Sequence, residues 1–78
     1  MTILEEFKES VSEWLGYNID DYNVNFIYDD GKEDGVPGIL VYINGRFICF
    51  MTERHALTNA YIIGNVIREF ANRKEGER

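Results

Sequence analysis

Two strongly apolar runs, residues 39–43 and 46–51, are separated only by Asn44 and Gly45. Asparagine and glycine both tolerate the positive φ angles of a type I′ turn, so this dipeptide predicts a two-residue β-hairpin. A two-residue turn also predicts the pairing register, because the residues that flank the turn must face each other. A pair of antiparallel strands at the centre of the chain therefore limits the folds that this sequence can adopt.

Side chains alternate along a strand, so the predicted register sorts the hairpin into two faces. One face holds mostly aliphatic or β-branched residues, which are typical of a surface beneath helices: Ile39, Val41, Ile43, Ile48 and Phe50. The other face mixes aromatic, sulfur and aliphatic groups, as interface cores do: Leu40, Tyr42, Phe47, Cys49 and Met51. A small α+β sheet needs cover on one face only, so the second face is predicted to bind a partner.

The residues before the hairpin predict a helix and then a strand. Thr2 and Glu5 have the spacing of a capping box, and an apolar stripe of helical period follows, with Trp14 in it. Gly16 suits the end of this helix. Residues 22–28 alternate between apolar and polar, as a strand with one solvated face does. A polar, glycine-rich loop joins this strand to the hairpin.

The last part of the chain predicts one long helix that begins at Thr52 and frays after Asn72. Gly64 within it indicates close approach to a neighbouring element, since glycine costs about 1 kcal/mol in a helix interior. The predicted fold class is α+β, in the order helix, three-stranded antiparallel meander, helix, with both helices on one face of the sheet. We expect a single small globular domain over residues 1–78, of which 72–78 form a loose tail.

Composition indicates a small protein of a reducing compartment. The 78 residues include one cysteine, which cannot form an internal disulfide, so we expect a cytoplasmic location. No secretory signal is visible at Met1, and no apolar run approaches the ~18 residues of a membrane span. We therefore expect no association with a membrane.

Charge is distributed unevenly along the chain, whose net charge is −6. Residues 1–38 contain ten acidic residues against two lysines, a balance of −8, whereas residues 39–78 carry +2. An acidic surface keeps a small protein soluble, and it can also attract a basic or nucleic-acid-binding protein partner. The residues predicted to form this surface are Glu5, Glu6, Glu9, Glu13, Asp20, Asp21, Asp29 and Asp30.

No group of residues predicts a catalytic, metal or cofactor site. His55 has no serine or cysteine neighbour at the spacing of a triad, and Cys49 lies within an apolar strand, as an inert thiol does. Zinc requires three or four cysteine or histidine ligands, and the chain has two such residues. In the loop that starts at Asp30, Lys32 occupies a position where a calcium loop needs an oxygen ligand. We therefore expect no enzyme activity.

The order of the elements resembles that of the double-stranded-RNA-binding domain. That family contacts RNA through basic residues at the start of its last helix and through the loop between its first two strands. Here the corresponding helix begins Thr-Glu-Arg-His at residues 52–55, and the loop holds four acidic residues between positions 29 and 34. Nucleic acid is therefore not the expected partner. In size and acidity the chain also looks like the small inhibitors that phages make against host enzymes or defence nucleases.

Three functions remain open on the sequence. The first is a non-enzymatic protein-binding module, whose sharpest form is a nucleic-acid mimic with carboxylates in place of phosphates. The second is a homodimer with a structural or regulatory role, joined through the uncovered sheet face. The third is a nucleic-acid binder that stacks bases on Tyr42 and Phe47. Its basic residues would be Arg46, Arg54, Arg68, Arg73 and Lys74.

Overall fold

The computed structural model describes residues 2–33 and 35–73. Three strands form one antiparallel sheet in the order β1-β2-β3, and helices precede and follow it. The predicted α+β order is therefore confirmed. The elements are α1 Ile3–Leu15, a 3₁₀ turn Ile19–Asp21, β1 Val24–Asp29, β2 Gly38–Ile43, β3 Arg46–Thr52, α2 Glu53–Ala56 and α3 Ala60–Phe70.

Both ends of α1 form as the sequence predicts. The Thr2 hydroxyl accepts a hydrogen bond from the Glu5 amide at 3.2 Å, and the Glu5 carboxylate accepts one from the Thr2 amide at 3.0 Å. This capping box binds two amides that would otherwise lack a partner. At the other end Gly16 is left-handed, with φ of 89°, and terminates the helix.

The final helix is two helices rather than the single long helix predicted. A turn over residues 57–59 separates the one-turn helix α2 from α3. Thr58 and Asn59 lie in this turn, and short polar side chains of this kind favour turns over helix interiors. Thr52 occupies the N-cap position of α2, but its hydroxyl hydrogen-bonds with His55 Nδ1 at 2.9 Å instead of capping a helix amide.

The segment after α3 turns back toward the start of β1. The Asn72 carbonyl accepts a hydrogen bond from the Asn23 amide at 3.3 Å, and Arg73 forms an isolated antiparallel bridge with Tyr22. These contacts hold the first two residues of the segment that was predicted to be a loose tail. Residues 74–78 of that predicted tail lie outside the described residues.

The helices α1 and α3 approach each other closely at Gly64. This residue is buried, and a Cβ atom built on it would lie 3.1 Å from the Trp14 Cβ. The close approach predicted at Gly64 is therefore confirmed. One turn further along α3, the Arg68 guanidinium donates to the Trp14 and Leu15 carbonyls at 2.8 and 3.2 Å. These carbonyls end α1, so α3 supplies partners that α1 itself lacks.

Both long helices pack on the same face of the sheet, which we call the covered face. The Phe7 ring of α1 meets the Phe26 ring of β1 edge to face, with centroids 4.9 Å apart. Residues from every helix and from the first two strands share one core. The core consists of Phe7, Val11, Leu15, Ile19, Tyr22, Phe26, Ile39, Val41, Ile43, Ala56, Ala60, Ile63 and Ile67.

The hairpin register departs from the prediction at one residue. The turn itself forms as predicted, since residues 44 and 45 have φ angles of 54° and 79°. Further along, Val41 pairs with Cys49 instead of Ile48, so the strand β3 holds one extra residue in a β-bulge. Residues 46–51 are nearly all apolar, so their pattern gives no sign of where the extra residue lies.

The bulge exchanges the faces of the second half of β3, because a shift of one residue moves each later side chain to the opposite side. Cys49 and Met51 were predicted on the binding face, but both pack against the core. Phe50 was predicted beneath the helices, but it pairs with Leu40 and so lies on the opposite face. The predicted faces are therefore wrong at these three positions of β3. Ile48 was predicted beneath the helices too, but it is the extra residue of the bulge and is exposed.

Candidate functional site

The face of the sheet opposite the helices, which we call the open face, has no helix over it within residues 2–33 and 35–73. Antiparallel pairing places its side chains in rows that run across the three strands. The two rows that define the open face are Ile27, Leu40 and Phe50, and next to them Asn25, Tyr42 and Phe47.

Apolar side chains of the open face reach solvent. Phe47 is 55% exposed and Ile27 is 48% exposed, and Ile48 of the bulge is also exposed. The Tyr42 and Phe47 rings meet edge to face with centroids 5.6 Å apart, so each ring restrains the other. Exposed apolar surface that is continuous over several residues commonly marks an interaction site.

The Phe50 ring lies over Gly38 at the start of β2. A Cβ atom on this buried glycine would lie 2.5 Å from the Phe50 Cζ, and it would also overlap the Met51 carbonyl oxygen. The absence of a side chain at position 38 therefore makes room for the ring of the adjacent strand. This packing fixes Phe50 against the sheet and makes it part of a preformed surface.

The open face carries little charge. The charged residue in register with it is Asp29, at the end of β1 opposite Gly38. The Asp29 carboxylate accepts a hydrogen bond from the Gly31 amide at 3.0 Å, so it stabilises the turn that leaves the strand. A surface of apolar and aromatic groups with little charge has the composition of a buried interface core.

Half of the predicted acidic surface is brought together in one place. A shallow groove runs between α1 and the 3₁₀ turn, and the Lys8 side chain also lines it. The Glu5 carboxylate within this groove is partly engaged by the capping box of α1. The four carboxylate residues that line the groove are Glu5, Glu9, Glu13 and Asp20.

The other predicted acidic residues have separate structural roles. Asp21 forms an ion pair with Arg73, with 3.9 Å between nitrogen and oxygen. Asp29 and Asp30 lie at and just after the end of β1, where their carboxylates accept hydrogen bonds from amides two residues later. Glu6 is half-buried on α1. Four of the eight predicted residues therefore line the groove, and the other four lie outside it.

Two of the five basic residues predicted for nucleic-acid binding are engaged within the protein. Arg68 binds the carbonyls at the end of α1, and the Arg73 guanidinium stacks on a tyrosine ring, 4.6 Å from its centroid. Arg46 begins β3 and Arg54 lies in α2, both exposed to solvent. Lys74 lies outside the described residues.

Few side chains offer reactive chemistry. Burial raises the pKa of the Cys49 thiol, which lowers the population of the reactive thiolate. The Tyr28 hydroxyl donates to the Glu53 carboxylate at 3.2 Å. Loss of hydration and the Glu53 charge raise the pKa of Tyr28 above its ordinary value. In the described part of the chain, no three His, Cys, Asp or Glu residues converge on a point where a metal ion would fit.

A second exposed aromatic pair lies where α1 meets α3. The sequence placed Trp14 in the apolar stripe of α1, but the side chain is 59% exposed. Because Gly64 brings α3 close to the Trp14 Cβ, no space remains for the indole between the helices. The indole instead contacts the Tyr61 ring at the surface, with centroids 5.8 Å apart.

Two apolar residues of the open face were absent from the predicted binding set. The alternation of β1 did place Ile27 on the solvated side of that strand, so its position was available from the sequence. Phe50 reaches the open face through the bulge, and the sequence has no signal for that bulge.

No protein-family model, no curated protein and no solved structure matches this chain. Neither α1 nor α3, nor any other helix of the described residues, combines the length and the apolar character that crossing a membrane requires. The function of the protein is therefore inferred from the geometry of its own residues.

Proposed function

We propose that this protein is a non-enzymatic protein-binding module that docks its partner through the open face. One observation carries the proposal: apolar and aromatic rows lie on the side of the sheet away from the helices, where Ile27 and Phe47 are exposed. Removing such surface from water is favourable by roughly 25 cal/mol per Å². A fitting partner presents an apolar surface with few charges, because the open face offers few charges to pair with it.

The preformed geometry of the aromatic side chains supports this proposal. The Tyr42 and Phe47 rings restrain each other, and the Phe50 ring is seated over Gly38. Binding through side chains that are already ordered loses less conformational entropy than binding through mobile ones. Aromatic groups held on a rigid element are also frequent anchors of protein interfaces.

We also propose that the protein works in the cytoplasm, where thiols stay reduced. Cys49 is partly buried against the core, and burial raises the pKa of its thiol. Nucleic acid is not the proposed partner, because Asp29 ends β1, Asp30 begins the loop after it, and Glu53 starts α2. Each of these carboxylates would repel a phosphate.

Site-specific photo-crosslinking tests the proposal. A photoreactive phenylalanine analogue is placed at position 47 on the open face or at position 70 on α3, where the natural Phe70 is 64% exposed. In an extract of the native host, protein adducts are expected from position 47 and not from position 70. Equal yields from both positions, or no adduct from position 47, would contradict docking through the open face.

A second candidate function is an acidic inhibitor that mimics nucleic acid. The groove beside α1 favours it, since four carboxylate residues line one continuous concave surface there. Such an inhibitor would bind a basic or nucleic-acid-binding protein and depend strongly on salt. In size and acidity the chain also resembles the small inhibitors that phages make against host enzymes or defence nucleases.

The same crosslinking approach separates the two candidates. An analogue at Glu13, in the groove, is expected to give adducts only if the acidic surface binds a partner. Those adducts should disappear in high salt and with Glu9→Lys, whereas adducts from position 47 should persist under both changes. Adducts from position 13 that survive high salt would argue against nucleic-acid mimicry.

A further inference from the structure

We infer that the occupant of the open face is a second copy of this chain, stacked face to face about a two-fold axis. The inference rests on the proposed function, because it requires the open face to be a docking surface. A two-fold axis brings the same patch together from both protomers, so the patch must complement itself. An apolar face with little charge meets this condition, and the acidic groove does not.

The distribution of charge favours self-association through this face over the acidic surface of α1. The chain has a net charge of −6, so two copies repel wherever their acidic surfaces meet. Helices pack on the covered face, so stacking two open faces puts both copies of α1 on the outside. With layers about 10 Å apart, the two acidic grooves are separated by roughly 30 Å. This distance exceeds the Debye length of about 8 Å at physiological ionic strength.

The register of the sheet supplies the contacts of such a pair. The row of Ile27, Leu40 and Phe50 runs beside the row that contains Tyr42 and Phe47. Two sheets that pack with their strands about 30° apart interdigitate rows of this kind. The aromatic pair of one protomer would then lie against the apolar row of its partner, and both rows would leave water.

The size of the open face sets the expected strength of association. Three strands about 20 Å long and about 5 Å apart give a flat footprint on the order of 300 Å². Two faces together then bury roughly 600 Å² before side-chain relief is added, which is in the range of weak, transient interfaces. We therefore expect a concentration-dependent dimer with a dissociation constant in the micromolar range.

Sedimentation equilibrium of the purified full chain tests the inference. The natural chain is expected to shift from monomer to dimer as its concentration rises, with no loss of dimer in high salt. Phe47→Ser should raise the dimer dissociation constant by about tenfold or more, because the two-fold axis repeats the change in both protomers. The matched control Phe70→Ser removes a ring that is at least as exposed but lies on α3, and should leave the constant unchanged.

A second variant keeps the test valid if Phe47→Ser fails to fold. Ile27→Thr changes the other edge of the open face to a residue that strands accept readily, and it should weaken the dimer in the same direction. A chain that stays monomeric at every concentration would overturn the inference. So would a dimer that both open-face variants leave intact.

The crosslinking experiment separates failure of the inference from failure of the proposed function. A monomeric chain whose position 47 crosslinks to a different protein overturns the second copy as occupant and leaves the open face as a docking surface. A monomeric chain with no adduct from position 47 overturns both.

Discussion

The two faces of the sheet are built from similar residues and differ in what lies over them. On the covered face Ile39 and Val41 have no exposed surface, whereas Ile27 and Phe47 on the open face keep about half of theirs. Hydrophobicity alone therefore does not identify the core of this protein. The core is defined by which face the helices cover. The strand register determines which side chains lie on that face, and the close approach of α1 to α3 forms the cover.

The sharpest way to break this comparison is to make the same truncation on both faces. Ile39→Ala should lower the free energy of unfolding by about 2–5 kcal/mol, because it leaves a cavity beneath the helices. Ile27→Ala removes the same atoms from a half-exposed position and should cost less than about 1 kcal/mol. Denaturant titration of dilute, monomeric protein measures both values. Equal costs would mean that the two faces are not different environments.

Substitutions at Gly64 test how tightly α1 and α3, the helices over the covered face, pack against each other. Gly64→Leu should destabilise the protein by on the order of 1–3 kcal/mol, because the Trp14 Cβ leaves no room for a larger side chain. The control is Asn65→Leu on the exposed side of α3, which should have little effect. Thermal unfolding measures both. An increased melting temperature for Gly64→Leu and also for Gly64→Ala would show that the helices do not pack closely at this point.

The parts of the fold that local chemistry determines were predictable from the sequence. The capping box of Thr2 and Glu5, the end of α1 at Gly16 and the turn at residues 44–45 all formed as predicted. In each case a few adjacent residues determine the backbone conformation. The αβββα order followed from these signals and from the apolar periodicity between them.

The parts that depend on tertiary packing were not predictable in the same way. The bulge at Ile48 cannot be seen in a strand where nearly every residue is apolar, so the faces of Cys49, Phe50 and Met51 were exchanged. The exposure of Trp14 depends on the approach of a helix some fifty residues later in the chain. The sequence predicted that one face of the sheet would stay uncovered. Which residues form that face could be determined only from the observed register.

Thiol labelling compares the two faces of the sheet through the reactivity of one cysteine on each, and its expected effect is smaller than those above. Cys49 lies toward the core and burial raises its pKa, so at mildly alkaline pH the folded protein should react slowly with a thiol reagent. Each unit of increase in the pKa lowers the thiolate fraction about tenfold at a pH below the pKa. A thiol introduced by Phe47→Cys, in a Cys49→Ser background, should react much faster. Similar rates for the two thiols would place Cys49 on the open face after all.

Concentration-dependent NMR of the purified full chain tests the central claim most directly, because it observes every backbone amide in the docking surface and elsewhere. Between dilute and concentrated protein, we predict chemical-shift changes at the two rows of the open face, centred on Leu40, Tyr42 and Phe47. The outer surface of α1, including Glu9 and Glu13, should not change. Shifts confined to α1, or shifts at no residue of the sheet, would contradict the claim that a second copy of the chain docks on the open face.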